Sequence, residues 1–568
     1  MNVHTSAEIS AEAYLRRLAE RGVECVFANP GTDFAPIVEA LSRPGEKPYP
    51  RFVIVPHENV AMAMAHGYYR VSGKPAAVMV HVTVGTANAV CGVINAARDN
   101  IPVLLAAGRT PITEGGHIAS RNSHIHWGQE SFDQGAMVRE YVKWDYELRH
   151  GQPVASVVDR ALDIAMSEPR GPVYLTLPRE VLADPAAAPR RDTVRPLGAT
   201  AAQPAADAVD DAACLMAAAE FPLIVTSTAG RNPQAFSRLA ALTETFAIPV
   251  VQSFPNELNL PTDHAMHLGY EPGAFLPEAD VVVVLDSAVP WIPKSVTLRS
   301  GAIVLHISSD PLVARVPFRE FEADRLITGE TGAALGMLHE ALRARMQGQD
   351  AAIERRRKAI AVKREAIAGK RWSLLETARG KMPIHPVWLT TCVNEIKSKD
   401  AIVVNELGVN VNHLDMTIQG SYLGGNMSGG LGFGLGAALG AKLAAPGREV
   451  IAVVGDGSYM FGNPLSYHFV ARAENLPTLT IVANNHAWHA VRNATLSVYP
   501  KGDASRTNVM PLTALDPSPH FEKAIDICGG YGERVEKPED LPAALRRGMD
   551  AVRSGTPALI NVHTQGRH

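Results

Sequence analysis

Residues 448–488, REVIAVVGDGSYMFGNPLSYHFVARAENLPTLTIVANNHAW, limit the possible folds more than any other stretch of the chain. Two β-branched apolar runs, 450–454 and 479–483, have the length and composition of buried strands. A helical segment over about 464–475 separates them. Strands that are apolar throughout need cover on both faces, and a helical crossover between them makes the pair parallel. The first run breaks at Gly455-Asp456-Gly457-Ser458 and the second at Asn484-Asn485. In an open parallel sheet both breaks fall at the carboxyl ends of strands, where such folds take their ligands.

The residue types at the breaks suit a metal-bound diphosphate. Asp456 offers a charged carboxylate oxygen, Asn485 a neutral amide oxygen and Ala487 a backbone carbonyl. Mg²⁺ prefers about six oxygens and shares them with phosphates and water. Gly457 and Ser458 are small enough for backbone N–H groups to approach phosphate at a helix start. Singly, GDG and NN read as turns, because Gly, Asp and Asn favour turns. One helix apart at the ends of two strands, they read as a site.

The rest of the chain repeats the β-α pattern. Strands are expected over 24–28, 51–55, 76–82, 103–107 and 173–177, then 223–226, 279–286 and 302–307, then 401–404. Helices are expected over 6–21 and, as a solvated Arg/Lys/Glu/Ala segment, over 347–370. Residues 184–206, rich in Ala, Pro, Arg and Thr, read as a linker. With 568 residues the chain has room for roughly three or four domains. The fold class is therefore α/β, with three doubly wound parallel-sheet domains at 1–186, 207–346 and 376–568. The middle domain lacks a strict Gly-x-Gly-x-x-Gly opening a helix, so no dinucleotide is assigned to it.

Net charge is −4 with the signs interspersed, which argues against a nucleic-acid partner. Five scattered cysteines without a C-x-x-C pair suggest neither zinc nor a disulfide framework. No apolar run reaches membrane-spanning length, and the N-terminus lacks the apolar core of a signal peptide, so a cytoplasmic protein without a membrane partner is expected.

GDGS, a helix, a strand and then NN resemble the diphosphate-binding signature of thiamine diphosphate enzymes. Across the whole chain the pattern resembles the 2-oxoacid decarboxylase and acetolactate synthase group, benzoylformate decarboxylases among them. The resemblance implies a pyrimidine-binding first domain, a middle domain and a diphosphate-binding third domain. It implies thiamine diphosphate and Mg²⁺ as cofactors, with Asp456, Asn485 and Ala487 on the metal. Gly408, Val409, Gly429, Gly457 and Ser458 would contact the cofactor, and Leu431, after Ser428-Gly429-Gly430, would wedge between its rings. Taken alone, Leu431 reads better as a core residue behind a glycine-rich helix start.

Glu58, in VPHENVAMAMAHGYYR, resembles the family's catalytic glutamate. Its other reading is a carboxylate favourable to a helix N-terminus. His81, in VMVHVTVGTANAV, resembles a catalytic histidine that shuttles protons. Its other reading is a satisfied histidine in an apolar strand. Thr32 in ANPGTDF, with Ala490 and Ala494, matches pocket positions. The family's middle-domain histidine has no counterpart, and Trp291 stands in that neighbourhood. The segment HIASRNSHIHWGQESFDQ, with His117, His124, His126 and Gln129, is a polar wall, a zinc site or a solvent loop. His486 and His489, flanking Trp488, are further pocket candidates.

The expected activity is non-oxidative 2-oxoacid decarboxylation, with C–C cleavage or ligation through an enamine on the cofactor. The alternatives are an acetolactate synthase-like carboligase and a catalytically silent paralogue. The expected small-molecule partner is a 2-oxoacid or a hydroxy ketone. The resemblance implies a homodimer or homotetramer with active sites shared between chains.

Overall fold

The computed structural model describes residues 8–44, 47–189 and 193–566. Position 6, the expected start of the first helix, lies outside them; the helix is described from Ser10 to Glu20. Among the described residues the strands form three sheets, and every pairing within them is parallel. The fold is α/β.

The first sheet contains β1 (Cys25–Asn29), β2 (Arg51–Ile54), β3 (Ala76–Val80), β4 (Val103–Arg109), β5 (Asp145–Glu147) and β6 (Val173–Pro178), in the order β2-β1-β3-β4-β6-β5. The second contains β7 (Pro222–Thr226), β8 (Val250–Gln252), β9 (Val281–Leu285), β10 (Ile303–Ser308) and β11 (Arg325–Thr328), in the order β11-β10-β9-β7-β8. The third contains β12 (Ile402–Glu406), β13 (Tyr422–Leu423), β14 (Val450–Gly455), β15 (Leu479–Asn484), β16 (Tyr531–Val535) and β17 (Ala558–His563), in the order β13-β12-β14-β15-β17-β16. Counted from its own first strand, the third sheet has the same order as the first. Each reverses direction beside its first strand, and the crevice that results is where ligands bind in open α/β sheets.

The central strands are buried throughout, as β3 (AAVMV), β9 (VVVVL) and most of β14 show. That explains why their apolar runs were readable in the sequence. The sequence reading did not include β5, β8, β11, β13, β16 or β17. Several of these are short or carry polar residues, such as DYE in β5 and YGERV in β16. The solvated helix runs Asp350–Ala378, longer than expected, and most of it is exposed.

One packing contact joins the first and third sheets. The Glu58–Ser72 helix is buried from Glu58 through Arg70, and it lies against the Phe433–Ala444 helix, buried from Phe433 through Ala441. Glycines make the approach close. A Cβ on Gly67 would fall 2.1 Å from the Ala437 carbonyl oxygen, and one on Gly440 would fall 2.0 Å from that of Met64. The two helix starts also meet, since Asn59 Nδ2 reaches the Leu431 carbonyl at 3.5 Å. Gly67→Ala should therefore lower the urea midpoint by the equivalent of about 1–3 kcal/mol, because backbone atoms would have to move. An unchanged midpoint would show that the two helices separate at little cost.

Candidate active site

The third sheet brings the two sequence breaks together. β14 ends at Gly455, and Asp456 opens the short Asp456–Phe461 helix. The Gly457 N–H donates to Asp456 Oδ1 at 2.9 Å, while Asp456 Oδ2 is buried without a partner. Burial raises the pKa of the Asp456 carboxyl above its ordinary value, and the N–H groups of Gly457, His486 and Ala487 pull in the opposite direction. The loop after β15 therefore lies against this carboxylate. Within it, Asn485 Oδ1 accepts from the Ala487 N–H at 3.0 Å, and His486 adopts a φ of 58°. The Trp488 ring covers Gly457, where a Cβ would come within 2.4 Å of it. Ser458 is buried in the same turn.

The loop after β12 is tied down. Asn405 Oδ1 accepts from the N–H groups of Gly408 and Val409, both at 3.0 Å, so a phosphate would compete with that amide oxygen for them. Gly429, with φ 69°, has open space around it, whereas a Cβ on Gly430 would fall 2.4 Å from Asn95 Oδ1. Leu431 stands between two anchors. On one side Asn95 Nδ2 donates to the Gly430 carbonyl at 3.0 Å. On the other, Glu406 accepts from Gly432 N–H at 2.8 Å and Gly434 N–H at 2.6 Å. Burial pushes the Glu406 carboxyl up to about 7.

The first sheet contributes a second cluster. Glu58 is buried at the start of its helix, and its oxygens accept from Asn29 Nδ2 at 2.9 Å and Asn88 Nδ2 at 3.1 Å. The expected strand 76–82 ends at Val80 instead, and a helix begins at Val82. Val82 has a φ of 34°, and this turn takes His81 out of the strand to the helix N-cap. There His81 Nδ1 lies 2.5 Å from Asp33 Oδ1, and Nε2 lies 3.1 Å from Gln129 Nε2. His126 Nε2–H donates to Thr32 Oγ1 at 3.3 Å, because the Asn122 N–H occupies its Nδ1.

The histidine-rich segment thus divides. His126 and Gln129 join the Thr32–His81 cluster, while His117 pairs with Asp184 at 3.0 Å. His486 engages Asp516 and His563, both at 3.1 Å, and the His489 ring packs on Gly566. Ala490 and Ala494 are exposed on the His489–Val498 helix, none of whose residues is buried. Trp291 is buried edge-on against Phe321. A cavity of about 1620 Å³ opens between the three sheets; its walls include Leu431, Gly429, Val409, Tyr69, Arg231 and Trp291. Neither Asp456 nor Glu58 lines it, so the charged groups rather than this cavity locate the chemistry.

The sequence reading missed Asp33, Asn29, Asn88, Asn59, Asn405 and Glu406. Asp33 adjoins Thr32 in the same loop, but its burial is decided by Gly108 on β4, distant in sequence, where a Cβ would fall 1.8 Å from Asp33 Oδ2.

Two family models match these two regions. Residues 10–137 match the thiamine pyrophosphate enzyme N-terminal TPP binding domain, and residues 408–562 match the C-terminal TPP binding domain. The chain belongs to the thiamine pyrophosphate enzymes. It is similar to a probable acetolactate synthase of Mycobacterium bovis, 26% identical over 562 residues, covering 97% of this chain and 94% of the relative. Its similarity to benzoylformate decarboxylase of Pseudomonas aeruginosa is 27% over 577 residues, covering 96% and 97%. In structure it resembles a thiamine diphosphate-dependent 4-hydroxybenzoylformate decarboxylase of Rhodococcus jostii, with a TM-score of 0.78, 24% identity and coverage of 99% and 100%. As a thiamine pyrophosphate enzyme, the chain takes thiamine diphosphate as its cofactor.

In the free enzyme the burial penalty on the Asp456 carboxylate outweighs the pull of the neighbouring N–H groups. A carboxyl whose folded pKa is raised loses stability as pH climbs from its unfolded pKa through the folded one, and the whole penalty is present once both forms are ionised. Asp456→Asn should therefore raise the urea midpoint of the cofactor-free protein at pH 7 by the equivalent of about 1 kcal/mol. A lower midpoint would mean that Oδ2 has a partner in solution.

Proposed function

We propose that this enzyme decarboxylates a 2-oxoacid non-oxidatively, using thiamine diphosphate and Mg²⁺. The carrying observation is the buried, unpartnered Asp456 Oδ2 facing the Asn485–Ala487 loop. An orphaned carboxylate oxygen is costly unless a cation completes it, so these residues fit a hard divalent ion. In this reading residues 1–186 bind the pyrimidine, 207–346 form the middle domain and 376–568 bind the diphosphate.

Asp456, Asn485 and the Ala487 carbonyl would hold Mg²⁺, and Gly457, Ser458, Gly408 and Val409 the diphosphate. Gly429 and Leu431 would seat the rings, and Glu58 would meet the pyrimidine. When bound, thiamine diphosphate supplies the carbon nucleophile and electron sink that allow CO₂ to leave. Glu58, clamped by two amide donors, keeps its carboxyl group in one orientation. Leu431, anchored on both sides, provides a fixed apolar surface. His81 moves a proton at Nε2, and Thr32, with Ala490 and Ala494, bounds the substrate. A proton carrier on the substrate side favours protonation of the product over capture by a carbon acceptor, so decarboxylation leads over carboligation. The carboligase reading is retained because the acetolactate synthase relative is as similar as the decarboxylase one.

The same reading includes a homodimer or homotetramer with shared sites and a cytoplasmic location. A second copy is supported by the exposed apolar residues Met460, Phe461, Leu465 and Phe469 beside the metal loop. Five free thiols fit a reducing compartment. No described helix is long and apolar enough to cross a membrane.

CO₂ release over a panel of aliphatic and aromatic 2-oxoacids, with and without an acceptor aldehyde, tests the activity. Release that depends on both cofactors is expected, and its absence across the panel would remove the decarboxylase reading. Glu58→Gln should bind thiamine diphosphate normally by calorimetry yet lose about 10²–10⁴-fold in kcat. Near-normal turnover would take the catalytic role from Glu58. Mixing inactive Glu58→Gln and Asp456→Ala chains should restore activity if sites are shared, because one site in each mixed dimer is intact. A mixture that exchanges subunits and stays inactive would place each site within one chain, as the Asn59–Leu431 contact also allows.

A further inference from the structure

His81 is held from both ring nitrogens. Asp33 is 2% exposed, and its Oδ1 lies 2.5 Å from His81 Nδ1 while its Oδ2 accepts from the Val82 N–H at 3.4 Å. Two glycines make room for the pair. A Cβ on Gly31 would fall 2.0 Å from His81 Nδ1, and Gly108 leaves the space that Asp33 fills. At the other nitrogen, Gln129 Nε2 lies 3.1 Å from His81 Nε2. The Gln129 backbone is fixed by Thr83 Oγ1, which donates to its carbonyl at 2.8 Å. Gln129 Oε1 is buried with no partner.

These contacts select a tautomer. An ionised carboxylate only accepts, so His81 Nδ1 carries the proton and Nε2 of the neutral ring accepts from the Gln129 amide. A charged ring has N–H at both positions and needs an acceptor at Nε2. Gln129 carries one in its unpartnered Oε1, and a half-turn of the amide would present it.

We propose that Asp33 is a positioning residue that holds His81 in its Nδ1–H form, and that the Gln129 amide turns over as the ring gains and loses a proton at Nε2. This rests on the reading of His81 as the proton carrier. The hydrogen bond from Asp33 raises the proton affinity of His81, against an opposing effect of burial. Asp33 from the turn after β1, Glu58 from its helix start and His126 from the histidine-rich segment are the titratable groups around the ring. Arg179 stands behind Asp33 and His126.

The test uses the cofactor-free full-length protein with ¹³C,¹⁵N-labelled histidine, and His81→Gln assigns the resonance. Wild-type His81 is expected as the Nδ1–H tautomer, titrating above the ordinary histidine range. Asp33→Asn should lower that titration by about one pH unit or more, since a neutral amide no longer stabilises the imidazolium. In the loaded enzyme the same variant should lose about 10–100-fold in kcat with KM changed less than about threefold, and its pH profile should move with the NMR titration. An Nε2–H tautomer in the wild type would overturn the proposal even if Asp33→Asn fails to fold. An unmoved His81 titration in a folded Asp33→Asn protein would overturn it as well. If His81→Gln keeps full turnover while Asp33→Asn still shifts the titration, the coupling stands and the catalytic reading of His81 falls.

Discussion

The close approach of two nearly fully buried helices, Glu58–Ser72 and Phe433–Ala444, is the contact on which the rest of the molecule depends. Helices in proteins usually pack about 8–10 Å apart, a distance set by the side chains between them. Here Gly67, Gly436 and Gly440 remove those side chains at the crossing, and backbone meets backbone. The helix that begins with Glu58 and the helix that follows Leu431 therefore start side by side. Two sheets of the same strand order thus bring the ends that carry Glu58 and Leu431 together.

A buried polar network reinforces this docking. Arg70, from the Glu58–Ser72 helix, pairs with Glu257 at 2.9 Å and donates to the carbonyls of Asn256 and Gly424. Arg231 reaches the same Glu257 at 3.2 Å. Asp99, its carboxyl raised to about 6 by burial, accepts from the Met427 N–H at 3.3 Å. All three sheet regions thus contribute to one set of buried charges. A network of this kind adds little net stability over an apolar one of equal volume, but a misaligned domain would leave charges buried and unpaired. Its physical effect is to penalise other domain arrangements.

The site itself runs against stability. Asp456 leaves a buried oxygen without a partner, Glu406 is held by backbone N–H groups at a raised pKa, and His486 and Val82 adopt positive φ. These features lie at strand ends of the first and third sheets, where the surrounding β-α units fix the backbone. Asp456 Oδ2 is the orphaned atom among these that a bound cation would relieve.

How much of this could be read from the chain differs by kind of information. The apolar runs of β3, β9 and β14 revealed the strands because strands covered on both faces must be apolar, and GDGS and NN marked the ends of two of them. That local chemistry pointed to the α/β class and put Asp456 and Asn485 at strand ends, while the family resemblance it carried supplied the cofactor and singled out Glu58. Short or polar strands such as β5 and β16 were silent, since their pairing depends on neighbours far along the chain. His81 was placed inside a strand because apolar character continues past Val80; the turn that removes it needs Asp33, from another loop. The amide clamps on Glu58, the anchors around Leu431 and the Asp33–His81–Gln129 set join residues tens to hundreds of positions apart. Local composition determines which segments become strands and helices, because that depends on nearest neighbours and burial pattern. Which polar groups face each other was decided only when the sheets docked, because hydrogen bonding and burial are properties of spatial contact.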